Sequence, residues 1–372
     1  MIETISVTAI SVSAIIFVLW WLVNKWHLGF LWRGFFMRRR AEQEGPFPYQ
    51  ELISDSLAVA ACVDFGACKR PLQKLPGMKT IVLMFERTAN EYILSYDSYM
   101  PGRRVPLDRH GPLKFYSTET DLRNLVEDLH KQGVKVLIGF WAFWGNLIHR
   151  PGPWVKRHRE LKPRRWGEAD FGNLFVTLKP EGVTLAKYIA GQYKKLRYNF
   201  GFDGLFLGDG FCGYRNFFKP WQYRDKKNTV EQFADFYRVI AEMVHKTGGQ
   251  LWAYDCMGFS YEESVAHGAD FKLLAKAGLD GLVFQSYPTA WGKYFRISGK
   301  TDLTQEITNF LSVKEALLGT KTRLYYSLEL GDRVEGWWSS WEATRLQMES
   351  FRKRKADGKF LVWGNDSLGR CF

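Results

Sequence analysis

The sequence predicts an α/β fold: a (β/α)8 (TIM) barrel preceded by one N-terminal transmembrane helix. Three observations predict it. An uncharged apolar run, Ile5 to Val23, stands near the start of the 372 residues. After about residue 56, eight short β-rich runs alternate with amphipathic stretches, a pattern that demands a parallel sheet covered on both faces. Gly201-Phe202-Asp203-Gly204-Leu205 and Gly278-Leu279-Asp280-Gly281-Leu282 are near copies, each closing a helix and opening a strand.

Composition bounds the function classes. Charged residues at 24% and hydrophobic ones at 46% exclude wholesale disorder. No 20–50-residue period recurs, which excludes a solenoid. Cys62, Cys68, Cys212, Cys256 and Cys371 are too sparse and scattered for a disulfide framework or a CxxC metal site. Seven His without HxH or HExxH spacing leave no metal motif, so neither a metal nor another cofactor is expected. No GxGxxG or GxxxxGK[ST] loop follows any strand, and no G-x-S-x-G elbow is present. Fifteen Trp exceed the demands of a core and direct attention to aromatic ligand contacts.

Taken in order, residues 1–40 read as an anchor with an interfacial basic segment. The 19 residues from Ile5 to Val23 would span roughly 28 Å, enough for a bilayer core. Trp20, Trp21 and Trp26 sit at the edge expected of an interfacial belt. Glu3 is the only charge before the run, and Trp20-Trp21 stands where a signal peptidase needs small residues, so the segment reads as uncleaved. Lys25, Arg33 and Arg38-Arg39-Arg40 all follow the run, so the positive-inside rule expects a single-pass membrane protein with its barrel in the cytoplasm.

Residues 41–55 form a linker, and 56–372 the barrel. The expected strands are Leu57–Phe65, Thr80–Phe85, Val134–Phe140, Leu205–Leu207, Gln250–Tyr254, Leu282–Phe284, Arg323–Leu328 and Phe360–Trp363. Amphipathic stretches between them include Thr120–Gln132, Thr184–Tyr198 and Thr229–Lys246. Asp203 and Asp280 precede strands and are expected at the barrel's bottom in structural roles.

Barrel chemistry sits at the C-terminal ends of the strands. Those ends supply Glu86, Trp141 with Trp144, Asp209, Asp255, Gln285 with Tyr287 and nearby Trp291, Glu329, and Trp363. Carboxylates facing one basin walled by Trp and Tyr suit a carbohydrate: pyranose C–H faces stack on indoles, and glycosidic cleavage uses one protonated and one ionised carboxyl. Asp209, Glu329 and Asp255 are the candidate catalytic residues. Glu86, Trp141, Trp144, Gln285, Tyr287, Trp291 and Trp363 are the candidate substrate contacts. Each also has a structural reading. Asp209 lies between Gly208 and Gly210 as a turn former would, Glu329 has Arg323 and Arg333 within reach in sequence, and Arg87 adjoins Glu86.

These strand ends resemble those of (β/α)8-barrel glycoside hydrolases, chitinase-like ones in particular. Val134–Trp141 looks like that family's third strand, Gly201–Gly210 like its FDGxDxDxE fourth-strand signature, Leu282–Tyr287 like its sixth and Phe360–Trp363 like its eighth. The resemblance covers about residues 56–368 and implies a glycan-binding mouth with Trp363 as its floor. It departs at the chemistry: Phe206 and Gly208 replace the signature's aspartates, and Gly210 replaces its catalytic Glu. A broader resemblance to retaining glycosidase barrels implies an acid/base after strand four and a nucleophile after strand seven, positions held by Asp209 and Glu329. The same departure leaves open a catalytically inactive scaffold or carbohydrate-binding subunit of a membrane assembly.

The net charge of +13 concentrates after the third strand. His149–Trp166 holds seven Lys/Arg and two Trp among Pro and Gly, as in a long βα loop. It reads as a solvated loop, as one lying on anionic lipid, or as a lid over an anionic ligand. No nucleic-acid recognition motif accompanies it. The anchor yields a direct expectation. Removing residues 1–40 should release the chain into the aqueous phase as a folded barrel, read by flotation and circular dichroism; recovery only with membranes or inclusion bodies would contradict it.

Overall fold

In a computed structural model the described residues are 59–64, 78–85, 119–140, 158, 179–208, 230–256, 258–266, 268–286, 303–329, 341–354, 356 and 359–363. The apolar run 5–23, residues 41–55 and most of the basic loop therefore lie outside the described residues. Among the described residues no helix is long and apolar enough to cross a membrane.

Eight parallel strands close into a barrel in sequence order, β1 pairing with β8. The strands are β1 (Val59–Asp64), β2 (Met78–Phe85), β3 (Lys135–Phe140), β4 (Gly204–Leu207), β5 (Gln250–Cys256), β6 (Gly281–Phe284), β7 (Arg323–Glu329) and β8 (Lys359–Trp363). All eight coincide with the runs read from sequence. The helices are α1 (Glu119–Lys131), α2 (Leu185–Phe200), α3 (Val230–Lys246), α4 (Tyr261–Ala266), α5 (Phe271–Lys276), α6 (Leu303–Ala316) and α7 (Trp341–Lys353). Thr184 caps α2 by accepting a hydrogen bond from the Lys187 amide at 3.3 Å, and Gly201 ends the helix at φ 78°, a conformation that costs glycine nothing.

Strand alternation divides the core. Outward residues Phe284 and Tyr326 pack with Phe310 of α6 and Phe351 of α7, with ring centroids 5.0 to 6.0 Å apart. Inward, Trp252 of β5 meets Tyr325 of β7 at 4.5 Å, although β6 lies between those strands. Gly281 of β6 makes that possible, since a Cβ there would come within 2.6 Å of the Trp252 ring. Alternate strands thus fill one interior layer, as barrel geometry requires.

The repeated Gly-x-Asp-Gly-Leu segments form matching corners at the barrel's bottom. Asp203 donates its amide to the Val136 carbonyl at 2.7 Å and accepts the Val136 amide on Oδ2 at 2.8 Å. His130 of α1 meets the same Oδ2 at 2.7 Å. Asp280 repeats each contact: its amide to the Leu251 carbonyl at 2.8 Å, the Leu251 amide to Oδ2 at 2.7 Å, and His245 of α3 to Oδ2 at 2.7 Å. The carboxylate thereby takes a strand amide at the start of β3 or β5 and ties the preceding helix to the same atom. The structural role expected of both aspartates is the one they have. Asp203→Ala and Asp280→Ala should each lower unfolding stability by about 1.5–3 kcal/mol, the usual worth of hydrogen bonds to a charged group. The double variant should lose nearly the sum, because the corners share no partner. Denaturant titration measures this, and a change below about 0.5 kcal/mol in either single variant would refute the corner's role.

Candidate functional site

The C-terminal strand ends carry the candidate chemistry, and the pairing register defines how they stand. Glu329, last in β7, pairs with Trp363, last in β8, and Trp363 pairs in turn with Cys62 of β1. Asp64 ends β1 two residues beyond Cys62 and pairs with Met84 of β2. A carboxylate residue thus ends a strand on each side of Trp363. Neighbouring strands lie about 4.8 Å apart and rise about 3.3 Å per residue, so these backbone positions share one rim segment.

Asp255 lies inside β5, which runs to Cys256, two residues further than the sequence pattern indicated. The β5–β6 register shifts between Ala253 and Cys256, the stretch containing Asp255: Ala253 pairs with Leu282, but Cys256 pairs with Phe284. Three steps on β5 thus oppose two on β6, the count of a β-bulge, a feature frequent beside active sites. Simple alternation from Trp252 therefore cannot be carried through to position 255. Gln285 stands against this irregularity. It is buried, and its Nε2 donates to the Tyr254 carbonyl at 3.0 Å, satisfying a backbone acceptor where the ladder is interrupted. This gives the predicted substrate contact a defined structural task.

Glu86, Trp141, Trp144, Asp209, Tyr287 and Trp291 lie outside the described residues. The structure brings the backbones of Glu329 and Trp363 together and sets Asp255, on β5, near Gln285, the residue that follows β6; it does not relate Asp209 to any of them.

Two features escaped sequence reasoning. Asp64 is one: the strand-end rule that picked Glu329 picks it equally once β1 is known to stop there. The other lies behind β6. Glu306 of α6, 1% exposed, hydrogen-bonds through Oε2 to the Ser286 hydroxyl. Ser286 Oγ also meets Tyr326 Oη at 2.7 Å and accepts from Gln347 Nε2 at 2.8 Å. This buried polar knot joins the segment after β6 to β7, α6 and α7, immediately before Tyr287. Its sequence signal was slight, since Glu306 occupies a helix where acidic residues are usually solvated.

Burial pushes the Tyr325 phenol up, with Arg323 opposing, so it stays protonated at neutral pH. Within the basic loop, His158 is 8% exposed and its Nε2 lies 3.6 Å from Glu181 Oε1. Glu181 holds φ 52°, the one described non-glycine residue with positive φ. No group of three or more His, Cys, Asp or Glu among the described residues could hold a metal ion.

No family model matches the chain, and no curated protein matches it. Among solved structures, it is similar to an endo-β-N-acetylglucosaminidase from Cordyceps militaris in apo form, with a TM-score of 0.44, 11% identity and coverage of 87% of this chain and 92% of that one. A chitinase from Rhizomucor miehei gives a TM-score of 0.45 at 11% identity, covering 83% and 95%. An α-amylase from Geobacillus thermoleovorans, complexed with acarbose, gives 0.43 at 13% identity, covering 85% and 73%. The barrel assignment rests on the closed parallel strand order of this chain itself.

Proposed function

We propose that this chain is a membrane-anchored, glycoside-hydrolase-like barrel that acts on or binds a carbohydrate polymer. The observation that carries the reading is the register pairing of Glu329 with Trp363 at adjacent strand ends. A Glu and a Trp at adjacent strand ends of a barrel supply the side-chain types a sugar site uses, charge for an anomeric centre and a flat apolar face for a ring. The N-terminal run 5–23 anchors the barrel to a lipid bilayer, with anionic lipid or other membrane subunits as further partners. The charge pattern favours a cytoplasmic barrel.

In the catalytic form of this reading Glu329 attacks the anomeric carbon while Asp209 protonates the departing glycosidic oxygen. Water then hydrolyses the glycosyl-enzyme ester, with Asp209 as base. Asp255 is the like charge that would keep Asp209 protonated. Glu86, Trp141, Trp144, Tyr287 and Trp291 complete the sugar-binding wall.

A second reading has one observation in its favour. Gly210 stands where the chitinase-like signature has its catalytic Glu, which suits a barrel retained as a carbohydrate-binding or scaffold subunit. Kinetics separate the two. Asp209→Asn should lower turnover about 100-fold or more, and Glu329→Gln should abolish the covalent intermediate seen by mass spectrometry, both with folding intact. Absence of hydrolysis by the wild type across a glycan panel, with sugar binding unchanged in both variants, would exclude catalysis and leave the binding role.

A further inference from the structure

The inner wall of β7 holds an unexplained hydroxyl. Ser327 is 0% exposed, and its Oγ has no hydrogen-bond partner among the described residues. Its direction follows from its neighbours. Tyr326 points outward, to Ser286, Phe310 and Phe351. Tyr325 points inward, to Trp252 across the barrel. Ser327 therefore shares the inner face with Tyr325, and position 329 follows on that face one pleat nearer the mouth.

A buried hydroxyl without a partner destabilises a fold, and native proteins leave few of them. Nothing in the β7 ladder needs a hydroxyl there, since Ser327 pairs with Leu361 through its backbone. Alanine or valine would fill the same wall without that cost. The neighbouring polar group just after β6 is committed elsewhere, because Gln285 Nε2 donates to the Tyr254 carbonyl. What lies directly above is the rim formed by the ends of β7, β8 and β1, with Glu329, Trp363 and Asp64.

The geometry points to Ser327 as a ligand-binding residue: its hydroxyl is the polar floor of a sugar subsite beneath the rim where β7, β8 and β1 end. The ligand class is a polyol with a hydroxyl directed down the barrel axis, met directly or through one ordered water. This assignment rests on the carbohydrate reading above and deepens it.

Stability and binding test the idea together, on the full chain in detergent micelles. Ser327→Ala should leave the melting temperature within about 2 °C of wild type or raise it, because it removes a buried polar group with nothing to pair. The same variant should weaken binding of a β-1,4-linked N-acetylglucosamine trimer or of maltotriose, whichever the wild type binds, by about 3- to 10-fold in calorimetry. Ser327→Cys, close in volume with a weaker donor, should fall between them. A clear fall in the melting temperature of Ser327→Ala would make the hydroxyl structural and overturn the inference. So would unchanged sugar affinity in that variant, while leaving the carbohydrate reading intact. Wild-type protein that binds neither sugar would overturn the carbohydrate reading and this inference with it.

Discussion

The barrel depends on how its strands are joined at the bottom, where β3 and β5 each start before the strand that follows: Leu137 and Trp252, not the first residues, pair with Gly204 and Gly281. A strand amide left there needs an acceptor that the ladder does not supply. Asp203 and Asp280 meet that need with a carboxylate, which takes the Val136 or Leu251 amide and the His130 or His245 ring on one oxygen. These corners stand where the β3–β4 and β5–β6 pairings begin, below the interior layer in which Trp252 meets Tyr325.

The two ends of the barrel use their carboxylates differently. Those at the bottom have backbone and imidazole partners in fixed geometry and serve closure. At the mouth, Glu329 and Asp64 end strands on either side of Trp363, and the bulge of β5 interrupts the ladder near Asp255. The interruption is buttressed by Gln285, while the knot of Ser286, Glu306, Tyr326 and Gln347 holds the next residue to the helical shell. The β5–β6 side of the mouth is therefore braced from within and from behind.

The architecture was legible because each strand is a short apolar run between turn residues, and the duplicated Asp-Gly turns marked two strand starts outright. The site was legible only as a set of strand ends. Glu329 and Trp363 could be placed because β7 and β8 keep regular register to their last residues. Asp255 could not, because an extra residue in one strand changes which face later positions occupy, and no periodicity announces it. Asp64 was missed because its strand is the weakest of the eight in pattern. Ser327 and Glu306 were invisible for another reason: serine in a strand and glutamate in a helix become informative only when burial is known.

The two corners also differ in how far along the chain they reach. Leu251 and Asp280 are 29 residues apart, whereas Val136 and Asp203 are 67 apart. Loop-closure entropy favours the shorter by roughly 0.7 kcal/mol, (3/2)RT ln(67/29). The β5–β6 unit is thus the cheaper half to nucleate, and it is the half that carries the braced bulge. A chain emerging N-terminus first has β3 and β4 available earlier, yet its later segment closes with less chain to order. Identical chemistry at two corners therefore need not mean equal standing in the order of assembly.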